Sequence, residues 1–480
     1  MNSKPGTITL AWGVFLIYLA FLPPGIYSID GNSMLAVADS LVVRHNMTVP
    51  AELGTFGRNG QSYSNWYPLQ SFLAIPFVYL GVLSSHAFRL PTHYMEALFA
   101  LILPALETAG TVPFVYLIAE SVGSAPLGAW LAAVAYAFGT IAMVTARDFF
   151  ADPLIAFLIT GSLYFVFEDN IPLAAALSGL AVLAKPTGIL VGLILSVYLL
   201  TKRPSWQSVI PAIGSGMGLA CYCAYNFYRF GNLFTFGHSW SYFSLSFIPQ
   251  GVAGLLVSPG GGLIWFCPCA TLAVVAFRRA GKRPEALVIV ATFTAFVLLH
   301  AFWSASLGGW DWGPRLLLPT LPGVVALTGV MTGKWQKALA LLAVAGFLTA
   351  APTLVSFYER YYAEANENGV SHIDLTWLPS DSPLVHIWPA AIRQIQDARK
   401  QDVKELFRER GAPATTIASS RALRIVAVWW WLLPIAHIPR LAGLIISILL
   451  INLGVYLIAA TYPGNKQSCP QVCTVVKLGD

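Results

Sequence analysis

Residues 67–81 read Tyr-Pro-Leu-Gln-Ser-Phe-Leu-Ala-Ile-Pro-Phe-Val-Tyr-Leu-Gly, and whether this run crosses a membrane decides the topology of everything after it. The run is apolar, short, and interrupted by Pro68 and Pro76. Its surroundings belong in a bilayer. Of 480 residues, 56% are hydrophobic and only 10% charged, against about 25% charged in a soluble domain. The 15 Trp and 19 Tyr suit interfacial belts, where rings with one polar edge settle.

Apolar runs occupy 8–28, 67–85, 92–119, 125–146, 153–168, 171–184, 188–201, 206–228, 260–277, 285–303, 315–332, 338–356, 425–438 and 440–462. The first is long enough to span and has no small-residue cleavage site, so it reads as a membrane helix and not a removable signal. The positive-inside rule arbitrates the doubtful runs. Lys202-Arg203, Arg278-Arg279 with Lys282-Arg283, and Lys334 with Lys337 join Lys4 on the cytoplasmic side only if an even number of spans precedes Lys202. Counting 67–85 as a span makes seven. Leaving it along the membrane surface, with 171–184 spanning, makes six. The expectation is therefore an all-α integral membrane protein with about 13 transmembrane helices, a surface helix in the first external loop and an external C-terminus.

This assignment turns four charged segments outward. The first loop, 29–91, holds a helix-like piece over 33–45, a polar coil with Arg58, and the surface helix. The others centre on Arg147-Asp148 with Asp152-Pro153, on Arg229 through His238, and on Asp311 with Arg315. Lys185-Pro186-Thr187-Gly188 faces the same way. Three regions follow: a core over 1–356, an external polar segment over 357–424, which should drape over the outward face, and C-terminal helices over 425–480.

Asp30 stands where the first span runs out, in Tyr27-Ser28-Ile29-Asp30-Gly31-Asn32-Ser33. A carboxylate there either caps the following helix or does chemistry, and the two roles are compatible. Asp39, Glu52, Asp148, Asp152 and Asp311 share its side, as do Arg58, Arg147, Arg229 and Arg315. Carboxylates beside guanidinium groups at a membrane boundary suit a lipid-linked phosphate substrate: Arg pairs with phosphate, and a neighbouring carboxylate takes a proton from an attacking hydroxyl. Each residue also has a plainer reading. Loop ion pairs are common, Asp152-Pro153 is a good helix start, Arg315 can snorkel, Lys185 can mark a hairpin, and His238 can be an ordinary interfacial residue. Glu107 and His300 lie deeper, and Glu107 needs a partner.

The sequence excludes several classes. It has no P-loop, no GxGxxG between strand and helix, and no kinase or hydrolase signature. No HExxH or CxxC pattern offers a metal site. A net charge of +6 without a basic block fits cytoplasmic loops and not nucleic-acid binding. Cys221, Cys223, Cys267 and Cys269 read as packing residues. Cys469 and Cys473 are either a pair or two free thiols. An activated substrate is thus expected on a lipid carrier.

Six short motifs, in order, carry a resemblance: Ser28-Ile29-Asp30-Gly31, Trp66-Tyr67-Pro68-Leu69, Ala151-Asp152-Pro153-Leu154, Leu183-Ala184-Lys185-Pro186, Arg229-Phe230-Gly231-Asn232 and Trp312-Gly313-Pro314-Arg315-Leu316. Over residues 8–330 the chain resembles the GT-C superfamily of integral-membrane glycosyltransferases, nearest to the branch of protein O-mannosyltransferases and lipid A aminoarabinose transferases. The resemblance implies a multi-pass protein of a bacterial plasma membrane. It implies a polyprenyl-phosphate-linked sugar donor, an external (periplasmic) site, and inversion at the transferred sugar, with a lipid, glycan or protein acceptor. It makes Asp30 the general base and gives Asp152 a catalytic place. Arg58, Tyr67, Arg147, Asp148, Lys185, His238 and Arg315 are the expected substrate contacts. Many relatives carry two adjacent acids where Gly31 follows Asp30, and a Lys with two prolines where this chain reads Asn65-Trp66-Tyr67-Pro68. The phosphate contact is then expected from Arg58, Lys185 or Arg315. A divalent metal is an open expectation, since some branches use one. The alternatives are a transporter or flippase for a lipid-linked solute, and an assembly subunit.

Overall fold

The computed structural model describes residues 5–235, 240–281, 283–304, 309–400 and 426–464. His238, Lys282, Cys469, Cys473 and residues 401–424 lie outside them. The described chain is helical apart from a two-stranded ribbon, β1 (Thr55–Phe56) against β2 (Ser62–Tyr63), in the first loop. The helices are α1 (Pro5–Ala20), α2 (Ile29–Asp39), α3 (Pro68–Phe88), α4 (Thr92–Ala100), α5 (Ile102–Ser121), α6 (Pro126–Phe138) and α7 (Ala142–Thr145). Then come α8 (Asp152–Phe167), α9 (Ile171–Ala184), α10 (Ile189–Lys202), α11 (Ile210–Phe230), α12 (Ile248–Val257), α13 (Leu263–Phe266) and α14 (Ala273–Ala280). The last are α15 (Pro284–Ala301), α16 (Leu321–Leu327), α17 (Lys334–Ala350), α18 (Tyr358–Glu367), α19 (His372–Trp377), α20 (Pro383–Lys400) and α21 (Arg440–Ala460).

By length and composition, six helical stretches among the described residues are apolar enough to cross a membrane: Pro68–Phe88, Thr92–Ser121, Trp206–Phe230, Pro284–Ala301, Lys334–Leu354 and Arg440–Ala460. Shorter apolar helices pack between them. Small residues let the helices close up, which matters where lipid removes the hydrophobic drive for helices to associate. A methyl group on Gly179 of α9 would sit 2.6 Å from the Gly214 carbonyl of α11. On Gly13 of α1 it would meet the Gly454 carbonyl of α21 at 2.8 Å.

The bundle has two chemically distinct ends. At one, Lys202 pairs with Glu285, Arg203 with Asp169, and Arg279 lies over Trp335. The start of α6 meets the end of α21 there, through Trp130 Nε1 and Thr461 Oγ1 at 3.0 Å. At the other end stand Asp30, Asp152, Lys185 and Arg315. Lys202, Arg203, Arg279 and Lys334 thus share one end. Gln70 of α3 pairs with Glu107 of α5 at 3.4 Å, and Ser85 with Thr92 at 3.1 Å. So α3 runs back along α4 and the start of α5 and never reaches the basic end. The Gln70 contact also supplies the partner that Glu107 requires.

The last apolar runs differ from the sequence reading. Residues 426–438 do not form a crossing helix: Trp429–Ala436 is a short 3-10 stretch, and the Trp429 amide donates to the Leu22 carbonyl at 2.7 Å. Pro434 inside the run, and Pro439 after it, prevent a longer α-helix. Ser447 Oγ of α21 donates to the Ala20 carbonyl at the site end, and α21 finishes beside Trp130. Among the described residues the 426–438 run therefore adds no crossing helix, and α21 ends at the same end as the start of α1. The single runs 125–146 and 315–332 are likewise broken. The first divides into α6 and α7; in the second, Pro319 and Pro322 hold Arg315–Thr320 in a 3-10 turn before α16.

Candidate active site

Arg315 is the hub. Its guanidinium lies 3.3 Å from Asp30 Oδ2 through Nη2, 3.1 Å from Asp311 Oδ1 through Nε and 3.8 Å from Asp152 Oδ2. One face rests on the Phe150 ring, with the central carbon 3.8 Å from the centroid. Lys185 Nζ reaches the other oxygen of Asp152 at 2.9 Å. Two cations therefore serve three carboxylates in a site that keeps Asp152 buried but leaves the Asp30 side chain 22% exposed.

Local structure places each group. The N-cap of α2 is Ser28, whose hydroxyl accepts the Gly31 amide at 3.1 Å. Of the two readings of Asp30, the cap is therefore the one that Ser28 takes over. With Ser28 in the cap, Asp30 lies in the first turn with its carboxylate free for Arg315. Gly31 has a steric reason: a β-carbon there would lie 2.7 Å from Ile26, 2.8 Å from Ser28 Oγ and 3.1 Å from the Phe149 carbonyl. A second acid at that position has no room. Asp152 opens α8 without a capping hydrogen bond and turns its carboxylate to Lys185, which ends α9. Asp311 reaches Arg315 across one helical turn's worth of chain, Gly313 supplying the positive φ of 69° between them.

The other expected contacts divide. Tyr67, at the N-cap position of α3, feels the charges of Asp152, Asp30 and Arg315, and burial raises its pKa well above the usual phenol value. Asp148 stands behind the hub, accepting the Tyr358 hydroxyl at 2.7 Å. Burial pushes its carboxyl up to about 6, against the opposing pull of Tyr358 and Arg147. Arg58 is exposed at the end of α11, 5.4 Å over the Phe227 ring and away from the cluster. Arg147 is buried and donates to four backbone carbonyls, of Phe21, Thr353, Leu354 and Ala427. It borders a cavity of about 670 Å³ between α1, α6, α17 and α21, where it is the one charged side chain. Arg229 is also buried and donates to the Ser64 and Trp66 carbonyls and to Asn226 Oδ1, fastening the first loop to α11.

Sequence reasoning missed the support from 357–400. Tyr362 donates to the Asp311 carbonyl at 2.7 Å, and Trp310 stacks on Tyr362 with 13° between planes. Glu359 is buried beside Asp148 and Arg147, and burial holds its carboxyl well above the usual range. The aromatic-acidic run Tyr358-Glu359-Arg360-Tyr361-Tyr362 was the available signal, but nothing local ties it to Asp311. His300 lies near Lys185 and Asp152, its Nδ1 2.9 Å from the Phe296 carbonyl.

Among the described residues, no group of three His, Cys, Asp or Glu side chains converges as a metal site would. The hub carboxylates face a guanidinium and an ammonium at their centre, which a divalent ion would have to displace. This donor set does not fit a resident divalent metal.

No family model and no curated protein matches the chain. Solved structures do. ArnT from Cupriavidus metallidurans bound to undecaprenyl phosphate aligns at a TM-score of 0.52 and 17% identity, over 95% of this chain and 77% of that one. Its apo state gives 0.51 and 16%, over 94% and 77%. A looser likeness, at 0.43 and 11%, is to the Archaeoglobus fulgidus oligosaccharyltransferase in the apo form, over 89% of this chain and 56% of that one. These neighbours are GT-C glycosyltransferases, and the chain has the fold that its sequence resembles, that of the GT-C class.

Proposed function

We propose that this protein is an inverting glycosyltransferase that moves a sugar from a polyprenyl-phosphate carrier to an acceptor hydroxyl at the external face of a membrane. The observation that carries the reading is the convergence of Asp30, Asp152 and Asp311 on Arg315, with Lys185 on Asp152, at one end of a GT-C bundle. Basic loops gather at the opposite end, which the positive-inside rule assigns to the cytoplasm. In this orientation α3 lies at the external membrane surface. The undecaprenyl phosphate bound to the structural neighbour ArnT supports the carrier class.

In the reaction, Asp30 accepts the proton of the acceptor hydroxyl while its oxygen forms a bond to the anomeric carbon. The bond from that carbon to the donor phosphate oxygen breaks on the opposite side, and polyprenyl phosphate leaves with the electron pair. Arg315 and Lys185 stabilise the negative charge on the leaving group. Asp30, 22% exposed on the outer edge of Arg315, is the carboxylate this reading offers to the acceptor. No step passes through a metal. Among the described residues the charged side chains gather mainly at the two ends of the bundle and not along a passage between them, which disfavours a transporter.

The test is purified protein offered a panel of polyprenyl-phosphate sugars, with and without chelator. The reading expects transfer from at least one donor, unchanged by chelator and lost in Asp30→Asn. No transfer from any donor, or full activity in Asp30→Asn, would contradict it.

A further inference from the structure

A donor phosphate needs a cation, yet each hub cation is already paired, and the pairs differ in kind. Arg315 presents two edges. Its Nε edge faces Asp311 Oδ1 at 3.1 Å and Asp152 Oδ2 at 3.8 Å as ion pairs, and Nε is buried without a hydrogen bond to either. Its outer edge meets Asp30 Oδ2 through Nη1 at 3.4 Å and Nη2 at 3.3 Å. Charge-assisted hydrogen bonds settle near 2.7–2.9 Å; the Asp30 contact, at 3.3–3.4 Å, is longer than the 3.1 Å ion pair to Asp311. The two acids are about equally exposed, the Asp30 side chain at 22% and Asp311 at 20%.

Asp311 is mounted differently. Its carbonyl is held by Tyr362, Trp310 stacks on that same ring, and the Trp312 ring is buried edge-on to Phe266 at 5.2 Å. The acid is thus carried on a short aromatic segment clamped to α18. Phe150 closes one face of the guanidinium. Of the groups around Arg315, the one an incoming anion can replace without moving the arginine is Asp30.

We propose that the two carboxylates do opposite work on Arg315: Asp311 is a positioning residue that holds the Nε edge, and Asp30 is a resident of the outer edge that the donor phosphate displaces. This rests on the donor class proposed above. Displacement transfers the outer edge to the phosphate and releases the Asp30 carboxylate towards the acceptor. The base is then freed by the arrival of the donor and not before.

Binding of undecaprenyl phosphate to the full chain in detergent micelles tests this, with uncharged undecaprenol and inorganic phosphate as parallel probes. Removing either acid takes away one negative charge, so charge alone predicts tighter phosphate binding in both variants. Positioning predicts opposite signs. Asp30→Asn tightens undecaprenyl phosphate by about tenfold, and Asp311→Asn weakens it by about tenfold, with undecaprenol unmoved in both. Tyr362→Phe, which leaves the acid in place but loosens its mount, weakens it by roughly threefold and serves if Asp311→Asn melts early. The same sign in Asp30→Asn and Asp311→Asn, or an equal shift for undecaprenol, overturns the proposal. An effect reproduced in full by inorganic phosphate assigns the switch to any phosphate anion and overturns its dependence on the carrier. Wild-type protein that binds undecaprenyl phosphate no better than undecaprenol overturns the donor reading, and this inference with it.

Discussion

Arg147, buried, and Arg315, largely buried, are arginines at the same end of the bundle, and sequence alone does not tell them apart. Arg147 meets four backbone carbonyls contributed by the end of α1, the turn after α17 and the segment before Trp429. Arg315 meets three carboxylates. The carbonyls are neutral, fixed by the chain and occupy four of the five guanidinium N–H donors, so that site joins segments. The carboxylates are charged, carried on side chains, and two of them, Asp30 and Asp311, are about one-fifth exposed. An anionic substrate can compete there. What separates a structural arginine from a functional one in this fold is the acceptor it finds.

Breaking the comparison on the functional side has the largest effect. Arg315→Leu is expected to lower transfer by about 10³-fold or more while the protein keeps its melting temperature within a few degrees, because the loss falls on stabilisation of the departing phosphate. A steady-state assay beside a thermal melt checks both halves. Arg147→Leu should do the reverse. It strands four carbonyls and unfastens α1 from the turn after α17, costing about 3 kcal/mol or more of stability. A steep fall in the yield of monodisperse protein, with whatever folds retaining its turnover, is the expected readout. An Arg147→Leu protein that is stable but inactive would erase the distinction.

The smallest effect sharpens the boundary between the two regions. Asp148 lies between them, and burial raises its carboxyl to about 6 in the folded chain, from about 3.9 when unfolded. The stability this protonated group contributes is fully present below pH 4 and is lost as pH rises through 6. Asp148→Asn keeps the shape and removes the titration. Its melting temperature should fall less than the wild type's between pH 4 and 7, measured by thermal scans in one detergent. Parallel curves would place the titration elsewhere.

Much of the fold was legible because the bilayer imposes it: apolar runs mark helices and basic loops mark one face. The exceptions are local. Residues 425–438 have a span's composition but hold Pro434, and α21 then ends where the chain began. In the site, Asp30, Asp152, Lys185 and Arg315 could be read from motifs at span ends, and the structure brings them together with Tyr67. Asp311 was visible as an acid near Arg315, without its mount. Tyr358, Glu359 and Tyr362 stayed hidden because their partners lie roughly 50 to 210 residues away in sequence. No local pattern reports such a pairing. Ser28 as the cap, and Gly31 as the residue that lets Phe149 approach, also required three dimensions.

The central claim is that Asp30 takes the acceptor proton during transfer from a polyprenyl-phosphate sugar. The most direct measurement is single-turnover transfer by wild type and Asp30→Asn with the same saturating donor, alongside donor binding in each. The account predicts a loss of about 10²–10⁴ in the rate of the chemical step with donor binding intact or tighter. Unchanged turnover in Asp30→Asn, or a loss explained wholly by failure to bind the donor, would contradict it.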